Sequence, residues 1–330
     1  MSTIKLSICI ATYNRAKYIS ETLDSILIQN SPEIEIIIVD GASTDNTTEI
    51  IDGYKKLYDN IFYFRLSIKG GVDHDYDKSV EFAKGKYCWL FPDDDLMING
   101  AIKTVLSEIN NNNYSLIVVD AIVKNIDFSH TILPQRMNIN KDIVVPGNDL
   151  DKLFKFTIPH LSFIGAVIID RSVWLTRERM TYFNSEFIHI GVIFQNYLPN
   201  RILLIKKPLV IIRFGNAQWT DRTFEIWLFK WSKLLCSFDK ISSQYKTPYL
   251  TIPSIRRIRT IIVHRAEGSY SLNTYLKWFK NDNLPIWWKM ILFLISVSPK
   301  LIFELLIKVY LKSKINNFFF LKNMILFKNI

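Results

Sequence analysis

The chain has 330 residues and a formal net charge of +10. That length holds one large or two ordinary domains with a substantial core. Its three cysteines (Cys9, Cys88 and Cys236) lie far apart, with no CxxC and no histidine at metal spacing, which argues against a thiolate metal site and for a reducing compartment. The charge is uneven: through Leu250, 28 Lys and Arg balance 28 Asp and Glu, whereas Thr251–Ile330 carries 13 against 3, so a neutral body precedes a basic tail.

Met1 to Lys5 leads straight into an apolar segment with no signal-peptide pattern, so the body is expected to stay in the cytoplasm. Residues 6–11 are predicted as a first strand, followed by the polar turn Thr12-Tyr13-Asn14-Arg15. Ile19, Leu23, Ile26 and Leu27 keep helical spacing to about Asn30, where Ser31-Pro32 breaks the helix. Residues 35–39 are a second buried strand, ending at Asp40-Gly41-Ala42-Ser43-Thr44-Asp45. A helix from about Thr47 to Lys56, a third strand over 61–64, the flexible Gly70-Gly71 turn and a helix from Asp73 to Ala83 follow. Tyr87 to Phe91 is apolar and uncharged, as in a buried strand of a parallel sheet, and Pro92 ends it because it has no N–H for the ladder. The alternation βαβαβαβ over the first hundred residues predicts a parallel, nucleotide-type sheet.

Farther on, the pattern gives a helix from Ala101 to about Asn110, a strand over 114–121 and another over 165–170, then a helix containing Trp174. Residues 124–150 are turn-rich without a firm pattern. Residues 187–197 are largely apolar, and 203–214 suggest a strand pair around Pro208. From Phe224 onward the pattern is helical and rich in Trp, Lys and Arg. Met290 to Ser298 is apolar but bounded by Lys289 and Lys300 and ended by Pro299, short of the ~20 residues a spanning helix needs. Beyond it Lys300, Glu304, Lys308, Lys312 and Lys314 interleave with large apolar residues, as in an interfacial helix on anionic lipid. A helical appendage packed on the main domain, or a two-segment re-entrant hairpin, are the alternatives.

The acids after Pro92 stand out. Asp93, Asp94 and Asp95 repel one another, and each costs several kcal/mol, to order of magnitude, if buried unpaired. A divalent cation with oxygen ligands is the natural partner. Open α/β sheets bind ligands beyond the carboxyl ends of their strands, which is where these acids fall.

Taken together, Ala11-Thr12-Tyr13-Asn14-Arg15, Val39-Asp40-Gly41-Ala42-Ser43-Thr44-Asp45 and Asp93-Asp94-Asp95 resemble the nucleotide-sugar domain of family 2 glycosyltransferases with the GT-A fold. The resemblance is specific from Lys5 to about Asn99 and weaker to about Tyr197. Gly71-Val72-Asp73-His74-Asp75-Tyr76-Asp77-Lys78, Tyr87-Cys88-Trp89-Leu90 and Phe187-Ile188-His189-Ile190-Gly191 are similar to the abequosyltransferase subgroup. The resemblance implies an α/β GT-A domain over 1–222 (nucleotide-binding half about 1–100, acceptor half about 101–222), with a mostly parallel sheet flanked by helices. A basic, aromatic, helical and membrane-associating region over 223–330 follows. It implies a CDP-abequose or related 3,6-dideoxyhexose donor, with UDP-, GDP- or dTDP-sugars as alternatives, and a lipid-linked oligosaccharide acceptor. Mg²⁺ or Mn²⁺ is the implied cofactor, at the inner face of the cell membrane with peripheral contact.

Residue by residue, Ala11, Thr12, Tyr13 and Asn14 would meet the base or ribose, or form a plain strand-to-helix turn. Asp40 at its strand end would accept from base or ribose, or act as an N-cap, a role Asp45 fits better. Family members mostly carry a second acid where Gly41 stands. Asp93 and Asp95 match the D-x-D pattern, Asp95 being the implied metal ligand and Asp94 nearer the ribose or sugar. Asp73 and Lys78 are candidates for donor contact, or else N-terminal helix charge. An inverting transfer needs a general base. The family's E-D pair is missing here, which leaves Glu186 and His189, with His160 and Asp221 behind them. A retaining transfer would need no base there. A nucleotidyltransferase would also use strand-end acids, but the chain lacks a Gly-rich, Arg- or Lys-bearing phosphate loop after the first strand. A nucleic-acid binder fits poorly, because the positive charge is confined to an apolar tail.

Overall fold

The computed structural model describes residues 3–250 and 258–313. They form two compact units, Met1–Gly215 with Phe238–Ile241, and Asn216–Ser237 with Ser242–Ile330. The first unit's long stretch stops at Gly215, with Phe238–Ile241 added from beyond the expected boundary at 222.

The first unit is built on one ten-stranded sheet. β1 (Leu6–Thr12), β2 (Ile34–Asp40), β3 (Ile61–Arg65) and β4 (Tyr87–Phe91) alternate with α1 (Ile19–Leu27), α2 (Thr47–Lys55) and α3 (Val72–Phe82). β1 pairs in parallel with β2 on one side and β4 on the other, and β2 pairs in parallel with β3. The order β3-β2-β1-β4 reverses direction at β1, which opens a crevice past the carboxyl ends of β1 and β4. All residues of β2 and β4 are buried, as continuous apolar runs require when helices cover both faces. Each large side chain so buried contributes roughly 1.5–3 kcal/mol, so β4 is a rigid mount for the acids that follow it. Trp89 adds a donor bond from its indole Nε1 to the Gly165 carbonyl (2.9 Å).

The second half of the sheet comprises β5 (Leu96–Met97), β6 (Tyr114–Lys124), β7 (Thr131–Leu133), β8 (Ile143–Val145), β9 (Val167–Asp170) and β10 (Arg201–Arg213). β9 joins the halves, antiparallel to both β4 and β6, and β10 runs parallel to β6. α4 (Ala101–Asn111), α5 (Leu150–Leu161), α6 (Arg171–Leu175) and α7 (Ile188–Phe194) complete the unit. The expected strand pair around Pro208 is a single strand. Its register against β6 shifts on either side of Pro208, because proline lacks the ladder N–H but a bulge lets the strand continue. The expected start at Gly165 is a tight turn, with the strand beginning at Val167. Cys9 and Cys88 are buried free thiols, as their strands implied.

In the second unit, helices Ile258–Glu267, Leu272–Trp278, Ile286–Val297 and Lys300–Ser313 surround a core that includes Phe224, Tyr270, Phe279 and Leu292. Helix Ile286–Val297 buries Trp288, Leu292 and Ile295 and exposes Ile286, Trp287, Met290, Leu294 and Val297. Among the described residues no single helix is long and apolar enough to cross a membrane, but Ile286–Val297 and Lys300–Ile307 form a pair bent by 97° that is apolar enough together. Lys314 and the side chains of Lys308 and Lys312, part of the expected basic face, lie outside the described residues.

Candidate active site

Two turns meet at the carboxyl ends of β1 and β2. Asn14 sits at φ 52°, a left-handed conformation asparagine tolerates. Its N–H donates to Ser43 Oγ (2.9 Å), and its Oδ1 accepts from the Thr44 N–H (2.7 Å). The N–H groups of Arg15 and Ala16 donate to Thr47 Oγ1 (2.9 Å) and Asp45 Oδ2 (3.0 Å). Asp45 also accepts from the Thr47 N–H (3.1 Å), but it was expected as the N-cap and that position is held by Asn46, so Asp45 braces the helix start from one residue farther out. Thr12 is buried, with its carbonyl accepting from the Gly41 N–H (2.9 Å), while Ala11 and Tyr13 are half-buried. The backbone donors of Asn14 and Arg15 are thus spent on the neighbouring turn. The half-buried Tyr13 ring has Lys69 Nζ 3.7 Å from its centroid.

Asp40 is fully buried. Its Oδ1 accepts from the Ser43 N–H (2.8 Å) and its Oδ2 from the Tyr63 hydroxyl (2.6 Å). Asp40, expected to meet base or ribose, shapes the turn through these two bonds.

The acids after β4 lie opposite the β1 turn. The Arg15 guanidinium approaches Asp93 Oδ1 at 3.3 Å and Asp94 Oδ2 at 3.0 Å. Asp95 Oδ1 accepts from the Arg213 N–H (2.7 Å), and the Thr22 hydroxyl donates to the Asp95 carbonyl (2.8 Å). Burial, reinforced by repulsion from Asp94, pushes the Asp93 carboxyl up to about 7 despite Arg15, and pushes Asp95 well above the carboxylate range. Among the described residues no three His, Cys, Asp or Glu side chains are grouped to hold a metal by themselves. The donor set nevertheless fits Mg²⁺ or Mn²⁺, which take one or two carboxylates and complete their shell with phosphate oxygens. Hard oxygens whose charge is costly where they lie are stabilised by a dication.

Sequence reasoning missed the second anchor of this turn. Arg213, 6% exposed at the end of β10, donates from Nε to the Asp94 carbonyl (2.9 Å), from Nη1 to the Ile126 carbonyl (2.7 Å) and from Nη2 to Glu21 Oε2 (2.7 Å). Its guanidinium also lies 4.1 Å from the Phe128 ring centroid. A cation closing the apolar run Leu209-Val210-Ile211-Ile212 was the available signal, but its partners lie more than 85 residues away in sequence.

α3 carries the other candidates. Asp73 accepts from the N–H groups of Glu186 (Oδ2, 2.8 Å) and Ile188 (Oδ1, 2.9 Å), so it caps α7 and fixes the segment before it. It was expected at the donor; its carboxylate serves the α7 entry. Lys78 pairs with Glu81 (2.7 Å), one turn along the same helix, not with the crevice acids. Asp77 accepts from Trp174 Nε1 (2.8 Å) and pairs with Arg179 (2.7 Å), tying α3 to α6. Glu186 is half-buried at φ 70°. Its N–H is held by Asp73, two residues before Asp75, which lies over Gly41. The Glu186 backbone is thus fixed to the first turn of α3.

His189 is not placed to act as a base. It is 1% exposed, with Nε2 against the Leu161 carbonyl (2.8 Å) and Nδ1 buried without a hydrogen-bond partner among the described residues. Burial lowers its pKa to about 4. His160 repeats the arrangement with the Val119 carbonyl (2.7 Å) and is lowered by burial to about 3. Asp221 is exposed in the second unit.

The sequence model of Glycosyl transferase family 2 matches residues 7–181, which spans β1, β2, the acid turn and the α6 region. The chain belongs to the glycosyl transferase family 2. It is 30% identical over 230 residues to the abequosyltransferase RfbV of Salmonella typhimurium, covering 66% of this chain and 69% of that protein. It is also 30% identical over 107 residues to the GalNAc(5)-diNAcBac-PP-undecaprenol beta-1,3-glucosyltransferase of Campylobacter jejuni, covering 32% of this chain and 35% of that protein. Among solved structures, S. aureus TarS 1-349 in complex with UDP-GlcNAc superposes with a TM-score of 0.55 at 18% identity, over 89% of this chain and 80% of TarS 1-349, a likeness of fold. This glycosyltransferase thus has a GT-A-like α/β fold.

Proposed function

We propose that this glycosyltransferase moves a 3,6-dideoxyhexose, with CDP-abequose as the first choice of donor, to a lipid-linked oligosaccharide in bacterial O-antigen or surface-polysaccharide synthesis. The observation that carries this is the acid turn Asp93-Asp94-Asp95 at the carboxyl end of β4, facing Arg15 at the point where strand order reverses. Anionic ligands of open α/β sheets bind there. Likeness to an abequosyltransferase supports the sugar, and likeness to an enzyme named for an undecaprenol-linked glycan supports the acceptor. A UDP-, GDP- or dTDP-sugar for capsule or exopolysaccharide is the second reading, favoured by the Campylobacter relative's being a glucosyltransferase.

Asp95 and Asp93 would hold Mg²⁺ or Mn²⁺. When bound, such an ion supplies positive charge against the leaving nucleoside diphosphate. Arg15 positions Asp93 and Asp94, and Arg213 holds the turn from behind. In an inverting transfer Glu186 would take the proton of the acceptor hydroxyl. The exposed apolar face of Ile286–Val297, with the basic residues around it, would rest on the inner face of the cell membrane, where a lipid-linked acceptor is found.

The test is nucleotide release from CDP-, UDP-, GDP- and dTDP-sugars with MnCl₂ or MgCl₂. Release from one class is expected, and Asp95→Asn should lower it by about a hundredfold or more while leaving the melting temperature near wild type. Undiminished transfer by that variant would remove Asp95 from the metal role. No release with any donor would overturn the transfer itself.

A further inference from the structure

At the β1–β2 end of the crevice a carboxylate of α3, not of a strand, has one oxygen that no hydrogen bond engages among the described residues. Asp75 is 4% exposed. Its Oδ1 is engaged by His74 Nδ1 (3.2 Å), and among the described residues no hydrogen bond reaches its Oδ2. That Oδ2 lies over Gly41: a Cβ built on Gly41 would come within 2.6 Å of it, and within 3.8 Å of the Thr12 carbonyl. The missing side chain at position 41 is therefore what admits the carboxylate. Asp40 beside it is fully buried, and each of its oxygens already accepts one hydrogen bond within the fold. Burial raises the Asp75 carboxyl, with His74 opposing the rise and Asp40 adding to it.

The distance across the sheet says which part of a donor meets Asp75. Parallel strands lie about 4.8 Å apart, so the step from β4 across β1 to the end of β2 is about 10 Å. A nucleoside diphosphate anchored by its phosphates at the β4 acids reaches that far with its base. The Tyr13 ring, with Lys69 over it, stands at the same strand ends and offers a stacking face.

We infer that Asp75, admitted by Gly41, hydrogen-bonds an N–H of the donor's nucleobase and sets which nucleotide the enzyme prefers. This rests on the nucleotide-sugar reading above. It gives base reading to a helix residue beside Asp40, in a chain where Gly41 stands in place of a second strand-end acid. A carboxylate oxygen accepts equally from a pyrimidine ring N–H or an exocyclic amine, so the experiment must rank bases.

The experiment measures binding of CDP, UDP, GDP and dTDP to the full chain by calorimetry at one MnCl₂ concentration, for wild type, Asp75→Asn, and the exchange variant Gly41→Asp with Asp75→Ala. Wild type should favour one nucleotide. Asp75→Asn, which is isosteric but presents an amide, should weaken that nucleotide by about tenfold or more and narrow or reorder the ranking. Because the ranking is a ratio within one protein, a partly folded sample does not distort it. The exchange variant should recover part of the preference, since it returns a carboxylate to the same space from the strand side. A ranking unchanged in Asp75→Asn, or affinity lost equally for all four nucleotides, would overturn the inference while leaving the donor reading in place. Wild-type protein that binds none of the four would overturn both.

Discussion

His189 shows how burial, more than residue type, sets what a side chain can do. The ring has the ordinary pKa suited to general-base work. Its site excludes water and lowers that value to about 4. In the unfolded chain the ring titrates near 6.5, so between pH 6.5 and 4 the unfolded state binds more protons and stability falls as pH drops. His160 and His264, lowered by burial to about 3 and about 4, pull the same way. We expect wild-type protein to lose more stability to urea between pH 7 and pH 5 than His189→Gln does, since glutamine retains a donor toward the Leu161 carbonyl without the charge. Equal losses would show that His189 is charged at no cost. None of this was legible in Phe187-Ile188-His189-Ile190, where the histidine and its apolar neighbours suit a core residue and a catalytic one alike. The place of Asp93–Asp95 just past a buried strand was legible, because Pro92 ends an apolar run directly before them.

At the scale of elements, the first turn of α3 does two jobs through alternate acids. Asp75 leans over β2, while Asp73 caps the entry to α7 with two hydrogen bonds. Removing one N-cap side chain typically costs about 1 kcal/mol, and Asp73 satisfies two backbone donors, that of Ile188 buried. Asp73→Ala should therefore lower stability by about 1–2 kcal/mol and speed amide exchange at residues 186 and 188. A stability loss with exchange at those amides unchanged would place the damage elsewhere. The strands and helices of the first hundred residues were readable from their periodicity, since each is buried on a regular face. β5, β7 and β8 were not, because strands of two or three residues carry no period, and β10 read as two strands because Pro208 interrupts the pattern but not the ladder.

At the scale of the whole molecule, the uneven charge and the exposed apolar face belong together. Trp287 (61% exposed), Leu294 (57%) and Leu301 (68%) lie on the two arms of the bent pair. Exposed apolar surface of this kind marks an interaction site. Changing all three to Glu should leave the fold intact, since none packs in the core, and should abolish flotation of the full chain with vesicles containing anionic lipid. Flotation equal to wild type would count against membrane contact.

The sequence by itself determined the family and its parallel sheet, along with the acid turn at a strand end and the split between a neutral body and a basic tail. Those are carried by local periodicity and by charge, which neighbouring residues set. The tertiary structure decided what each acid touches. Asp40 and Asp73 are spent on Tyr63, Ser43 and the α7 backbone, Asp75 fills the space Gly41 leaves, and Arg213 reaches the acid turn from 118 residues away. A carboxylate's role depends on which donors the fold brings within 3 Å of it, and those donors come from distant parts of the chain.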